Sequence, residues 1–427
     1  MNAINRCKPA TMQHFTQGVR VRLSHLLTSN FHPRSAHPAE PRHPRWPIGN
    51  RQSGIGNLVA GLGLMFVAGC ATVSAPPPHA RPPATNLKDA YKNDFLIGVA
   101  INRSQFEGQD ARGIPIIQAQ FNSITPENAL KWESVHPRPG EYDFTDADRY
   151  VQFGESNKMY IIGHTLIWHY QTPDWVFAGE QGKPASRAVL LERMRDHIFT
   201  VVGRYRGRIQ GWDVVNEALN EDGTLRDSPW RKIIGDDYLE QAFKFAHAAD
   251  PQARLHYNDF SLENPAKRRG ALALIQRLQR EGIPIDAVGL QDHVKLDWPG
   301  RRQLDRTITA FARLGVKVMI TELDVDVLPQ SQHNRTADVA LNAQAPGSAD
   351  AFAHGLPAAK QLELARRYGE LFRVYQKHRA DLSRVTFWGV TDGDSWLNAP
   401  HRVNYPLLFD RSGQPKPAFQ AVLDAAR

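Results

Sequence analysis

Two glutamates stand where a buried strand would end. Glu217 closes the run Trp212-Asp213-Val214-Val215-Asn216-Glu217, and Glu322 lies within Val318-Met319-Ile320-Thr321-Glu322-Leu323-Asp324. Each run opens on residues suited to burial on both faces, then delivers polar groups that such burial penalises. A single strand-end glutamate is more often a surface group or an ion-pair partner. Two delivered in the same way supply what glycoside hydrolysis requires: one carboxylic acid to protonate a leaving oxygen, and one carboxylate to act as nucleophile or base.

Groups so far apart in sequence need a scaffold that gathers strand ends. From about Asn86 onward strand-like runs alternate with helical ones. Strands are expected at Phe95–Ile101, Ser123–Glu127, Tyr160–Ile167, Gly211–Glu217, Arg254–Asp259, Ala287–His293, Lys317–Asp324 and Val385–Asp392. Helical patterns fall between them at Thr145–Lys158, Ser186–Arg206, Tyr238–Ala249, Pro265–Arg280, Gln303–Leu314, Pro357–His378 and Pro417–Ala426. Thr145 with Asp148 is a weak capping signal for the first of these. The segment after the first strand is a poor helix, interrupted by Gly113 and Pro115. This alternation predicts a (β/α)8 TIM barrel over residues 86–427. An open doubly wound sheet fits less well, because no Gly-rich phosphate loop follows any strand. Pro329 to Leu356 reads as a long loop rich in Asn, Ala and Gly, of the kind that is functional or disordered.

The net charge of +8 invites a nucleic-acid reading, so its location matters. Residues 1–85 hold nine Lys or Arg against one acid, Glu40, which leaves 43 basic and 43 acidic residues in the remainder. The body therefore offers no net field for a polyanion, and no nucleic-acid partner is expected. Both cysteines, Cys7 and Cys70, also lie in the leader. The body has no thiol for a disulfide, a Cys-ligated metal or covalent catalysis.

The leader itself divides into three parts. Residues 1–57 lack periodicity and read as disordered, or as an extension from a misplaced start codon. Leu58 to Gly69 is an uncharged, mostly apolar run of a length that suits a signal-peptide core and falls short of a membrane span. It ends Val67-Ala68-Gly69-Cys70, which resembles a bacterial lipoprotein cleavage box with Cys70 as the lipidated residue. Residues 71–85 carry Pro76, Pro77, Pro78, Pro82 and Pro83 and form the expected Pro-rich tether. At about 3.1 Å per residue it would hold the barrel roughly 45 Å from a lipid anchor. The expected location is secreted and membrane-anchored, in the periplasm or at the outer membrane or cell surface.

In a barrel of this kind the chemistry sits at the C-terminal ends of the strands. Those ends carry Glu127, Asn128, Lys131 and Trp132; then His164, Trp168, His169 and Gln171; then Asn216 and Glu217. Tyr257, Asn258 and Asp259 follow, then Gln291 and His293, Glu322 and Asp324, and finally Trp388, Asp392 and Trp396. Polar side chains mixed with indoles suit a sugar, whose hydroxyls need partners and whose C–H faces need aromatic surfaces. Trp212 reads as core, Trp388 and Trp396 as site residues, and Asn258 and Asp259 as residues that could simply end a strand. His164 and His169 are spaced unlike a helical metal pair, and no metal or other cofactor is expected.

These motifs resemble glycoside hydrolase family 10. The resemblance rests on Thr125-Pro126-Glu127-Asn128, Lys131-Trp132-Glu133, His164-Thr165-Leu166-Ile167-Trp168-His169, Trp212 to Glu217, Gly289-Leu290-Gln291, Ile320 to Asp324 and Trp388-Gly389, and it spans residues 90 to 425. It implies a retaining endo-1,4-β-xylanase on a (β/α)8 barrel. Carried over residue by residue, it makes Glu217 the general acid/base and Glu322 the nucleophile. Asn216 would bond the 2-hydroxyl of the sugar being cleaved. His293 would contact Glu322 and be oriented by Asp324. Lys131, His164 and Trp388 would shape the subsite holding the reacting sugar and its neighbour, and Glu127, Asn128, Gln171 and Trp396 would grip the next sugar outward. Trp168, Tyr257 and Gln291 complete the expected binding residues. Where the family commonly has Ser, this chain has Asp292. The implied partner is xylan or xylo-oligosaccharide, bound by a monomer. Competing readings are a β-1,4-glucanase or transglycosylase on the same site, or a non-catalytic carbohydrate-binding protein. The last conflicts with the presence of both carboxyls and Asn216.

Overall fold

The computed structural model describes residues 85–329, 351–399 and 402–427. The expected leader, signal segment and Cys70, the tether up to residue 84 and most of the loop after the seventh expected strand lie outside the described residues.

Eight parallel strands close into a barrel. They are β1 (Leu96–Ile101), β2 (Ser123–Pro126), β3 (Tyr160–Ile167), β4 (Gly211–Asn216), β5 (Arg254–Asp259), β6 (Ala287–Leu290), β8 (Lys317–Asp326) and β9 (Leu382–Phe387). Neighbours pair in sequence order, β9 pairs with β1, and β6 pairs with β8 to complete the ring. A short strand, β7 (His293–Lys295), lies outside the ring and pairs with the extended end of β8. Burial is complete along β4 and nearly so along β1, β3 and β8, which is why these strands read as continuous apolar runs rather than alternating ones.

Helices alternate with these strands. Those at Tyr238–Ala249 and Pro265–Arg280 fall where the periodicity puts them, and the others shift by a few residues. Side-chain caps fix several starts: Ser186 accepts from the Val189 N–H, Ser228 from Arg231, and Asn264 from Ala266. Pro229 and Pro265 open their helices at positions where no N–H is needed. The helix Pro229–Ile234 was not expected from sequence, being shorter than two turns.

Five expectations change. The sixth expected strand, Ala287–His293, stops at Leu290 and His293 opens β7, while the seventh runs past Glu322 and Asp324 to Asp326 because its end pairs with β7. The Thr145 cap does not form. Asp143 Oδ1 takes the Thr145 N–H at 2.9 Å, and Asp148 turns to Arg204 and Tyr205. Gly113 and Pro115 do not interrupt the helix after β1, because it begins at Gly113 and runs to Gln120, so both sit in a first turn that needs no proline N–H. The last strand starts earlier and ends earlier than its apolar pattern. Gly389 has φ +130° and cannot continue a strand, while Arg384 is buried inside the sheet, donating to Thr125 Oγ1 at 3.0 Å. Trp212 is core: a Cβ on Gly163 would lie 2.1 Å from its indole, so glycine there is required by the packing.

Candidate active site

At the end of β4 the backbone turns sharply. Glu217 has φ +57°, a left-handed conformation that costs a non-glycine residue about 1 kcal/mol or more. Its N–H is held by the Asn258 carbonyl at 2.8 Å, so the ladder between β4 and β5 enforces the turn. The turn brings the side chain into the barrel mouth at 7% exposure. There Oε2 accepts from Trp168 Nε1 at 3.0 Å, and Oε1 accepts from Gln291 Nε2 at 3.0 Å and Asn216 Nδ2 at 3.1 Å. All three donors are neutral. Burial therefore pushes the Glu217 carboxyl above the usual range, helped by the charges of Asp259 and Glu322, and the bonds from Gln291 and Trp168 offset this only in part.

Glu322 emerges from β8 under the opposite influence. Its N–H donates to the Gln291 carbonyl at 2.9 Å, and its side chain is equally buried. Oε2 lies 3.1 Å from His293 Nε2, and Oε1 accepts from Asn258 Nδ2 at 2.7 Å. Burial alone would raise its pKa. The bond from His293, the positive fields of His164 and His293, and the Asn258 amide outweigh burial and hold Glu322 below the usual range. His293 can serve because its Nδ1 lies 3.0 Å from Asp324 Oδ2. Burial works against its charge, but the two carboxylates prevail and its pKa is pushed up to about 10. Asp324 is itself fixed by Trp396 Nε1 at 2.7 Å.

Asn258 joins the two halves. The same Nδ2 that donates to Glu322 donates to Asn216 Oδ1 at 2.8 Å, and its Oδ1 accepts from Thr321 Oγ1 at 2.6 Å. It is therefore a site residue rather than a strand terminator. Asp213 was also passed over. It lies inside β4, with Oδ2 3.0 Å from His164 Nδ1 and Oδ1 3.3 Å from His256 Nδ1. Despite its burial, these two bonds hold Asp213 well below the carboxylate range. The signal for both residues was a polar side chain within a strand buried on both faces.

A second polar cluster lies beside the carboxyls. Lys131 Nζ donates to Asn128 Oδ1 at 2.9 Å and Gln171 Oε1 at 2.6 Å, and sits 5.0 Å from the centre of the Trp168 ring. Gln171, at φ +48°, donates through Nε2 to Glu133 Oε1 at 2.8 Å. Burial, with the charge of Asp394, raises the Glu127 carboxyl to about 7. The Trp388 ring stands edge-on to His164, with centroids 5.5 Å apart, and the Trp396 ring lies 4.9 Å from His293. Lys131, His164, Trp168, Gln291, His293, Trp388 and the two glutamates thus form one connected set.

Tyr257 does not belong to the sugar-facing surface. It is fully buried, and its hydroxyl donates to Asp259 Oδ2 at 2.5 Å and accepts from the Ala218 N–H at 3.2 Å. A strand-end position alone does not say which way a side chain points, and this one lies beneath the site. Asp259, whose charge helps raise Glu217, is further held by Lys267 Nζ at 3.0 Å. Among the described residues, no group of three or more His, Cys, Asp or Glu is arranged to hold a metal.

The sequence profile of Glycosyl hydrolase family 10 matches residues 86–425. The chain belongs to that family. It is 41% identical over 365 residues to endo-1,4-beta-xylanase A of Xylanibacter ruminicola, covering 85% of this chain and 97% of the relative. A solved GH10 endoxylanase from a sugarcane soil metagenome superposes with a TM-score of 0.75 at 43% identity, covering 81% of this chain and all of that one. The intracellular xylanase of Thermoanaerobacterium saccharolyticum, solved as a mutant in complex with xylotriose, superposes with a TM-score of 0.70 at 36% identity, covering 79% of this chain and 98% of that one.

Proposed function

We propose that this protein is a retaining endo-1,4-β-xylanase acting on internal bonds of xylan. The observation that carries the reading is the opposed pair: Glu217, pushed toward its protonated form by burial among neutral donors, and Glu322, pushed toward its ionised form by His293, His164 and the Asn258 amide. Family membership supplies the substrate class and the retaining course. Glu322 attacks the anomeric carbon as Glu217 gives its proton to the departing oxygen, leaving a glycosyl ester on Glu322. Esterification removes the Glu322 charge and one reason for Glu217 to stay neutral. Glu217 then takes a proton from water, which opens the ester. Asn216 bonds the 2-hydroxyl of the reacting sugar, while Glu127, Asn128, Lys131 and Gln171 hold the next one outward. No cofactor takes part.

Incubation with glucuronoxylan and arabinoxylan should release reducing ends, with xylo-oligosaccharides as products. The first anomer seen by NMR should be β. An α-anomer as the first product would refute retention, and release from cellulose but not xylan would favour a glucanase. Gln171 and Trp396 flank the outward sugar in this reading and leave no room for a hydroxymethyl group. An unpaired hydroxyl there costs about 1–3 kcal/mol. Aryl xylobioside should therefore exceed aryl cellobioside in kcat/KM by at least about tenfold. An unchanged ratio in a Gln171→Ala, Trp396→Ala double variant would place specificity elsewhere.

We further propose that Cys70 carries lipid and anchors the enzyme to the outer or cell-surface membrane. The apolar run ending Val67-Ala68-Gly69-Cys70 supports this. Cys70→Ser should release active soluble protein. Intact-mass measurement of an unlipidated N-terminus elsewhere would end the idea.

A further inference from the structure

Gln291 reaches the acid and His293 reaches the nucleophile, yet the residue between them reaches neither. Asp292 has φ +54° and separates β6 from β7. A left-handed residue at this point re-aims the chain, so that its two neighbours approach the carboxyls while its own side chain goes elsewhere. That destination is a buried compartment behind the strand. Asp292 Oδ2 accepts from Tyr375 Oη at 2.7 Å, on the helix Ala358–Lys377. Its neighbour there is Glu263, which follows β5 and is 1% exposed. The two carboxyls come within hydrogen-bonding range of each other, and Asp292 Oδ1 and Glu263 Oε1 are both buried without an N–H or hydroxyl donor.

Two carboxylates in contact and out of water, each with an oxygen that lacks a donor, resist both being charged. We propose that Asp292 and Glu263 share one proton, and that this pair, closed by Tyr375, is a positioning device for Gln291 and His293. It rests on the xylanase reading for its consequence, but not for its chemistry. The surroundings suit a single negative charge. Arg367, on the Tyr375 helix, sends its N–H groups to the carbonyls of Lys295 and Pro299 and its field to Asp292. Lys267 and Arg268 act on Glu263 through their fields alone, Lys267 being held by Asp259 and Arg268 by Thr307 and the Glu263 carbonyl. His293 faces Asp292 from the site side. Burial lifts both carboxyls above their usual range, with the Asp292 charge adding to it at Glu263, as one shared proton requires.

The test compares Glu263→Gln with Glu263→Leu. A glutamine N–H can replace the shared proton, so Glu263→Gln should keep at least about half of wild-type kcat, whereas Glu263→Leu should lose about tenfold in kcat, KM changing by no more than about twofold. The acidic limb of kcat/KM should move to higher pH in Glu263→Leu, because His293 no longer lies squarely on Glu322. Tyr375→Phe, which removes one hydroxyl and threatens folding least, should move both readings the same way by less. Equal loss in Glu263→Gln and Glu263→Leu would overturn the shared proton, and an unmoved acidic limb in Glu263→Leu and Tyr375→Phe would overturn the positioning role. An infrared difference spectrum, wild type minus Glu263→Gln at pH 7, should show a protonated carboxyl band. That readout stands even if xylan proves not to be the substrate, and its absence would overturn the pair.

Discussion

The end of β4 and the middle of β8 deliver the same side chain to the same mouth, and the molecule treats the two oppositely. Around Glu217 every hydrogen-bond donor is neutral: an indole, two amides. Around Glu322 one donor is an imidazole locked against a second carboxylate, and another imidazole lends its field. Burial is nearly equal at the two, so burial does not set them apart. What does is the charge behind each donor. His293 is backed by Asp324 and His164 by Asp213, whereas the charge that acts most strongly on Glu217 is that of Asp259, of the wrong sign to ionise it. In the proposed reading, acid and nucleophile are assigned one layer behind the residues that would touch the sugar.

Four changes probe that asymmetry, in falling order of effect. Glu322→Ala removes the nucleophile, and kcat/KM on xylan should fall about 10⁴-fold or more. Measurable turnover at wild-type levels would mean the wrong carboxyl has been named. Glu217→Ala should cost about 10²–10⁴-fold on xylan, with less loss on aryl glycosides whose leaving groups need no proton. Azide should partly rescue that variant and yield a β-glycosyl azide, identified by NMR.

His293→Gln keeps a hydrogen-bond donor but discards the charge. Burial then dominates at Glu322, its pKa rises, and it stays ionised only at higher pH. The acidic limb of the pH profile should move up by about one unit or more. Gln291→Leu sharpens the comparison from the other side. It removes an N–H that favours the Glu217 carboxylate, so Glu217 holds its proton to higher pH. The alkaline limb should move up by less than about one unit while the acidic limb stays. These limbs belong to the pair as a whole, so a variant that moved both together would show the two sites to be one coupled unit.

Much of this was legible before any fold was built. Strand ends carry the chemistry of such a barrel, and the strands declare themselves by apolar runs, so Glu217, Glu322, Asn216 and His293 stood out from position alone. Asn258 and Asp213 did not. A polar residue in a buried strand could as well be a terminator or a packing element, and only its neighbours across the sheet decide. Tyr257 failed for the same reason: its hydroxyl finds Asp259 and the Ala218 N–H beneath the site. The last strand was misplaced because Arg384, charged and buried, broke the pattern that the reading relied on, and the Thr145 cap was misread because Phe144 takes the cap position without a side-chain bond while Asp143 takes the Thr145 N–H.

The sequence by itself determined where the barrel strands lie to within a few residues, because hydrophobic periodicity and chain breaks are local properties. It singled out the two glutamates as a pair, since each follows a buried-type apolar run in the same way. Tertiary structure decided which glutamate keeps its proton. That choice depends on Asp324 behind His293, Asp213 behind His164, and Asp259 near Glu217. Their fields act over ångströms of space in a low-dielectric interior, and distance in space is what a linear sequence does not record.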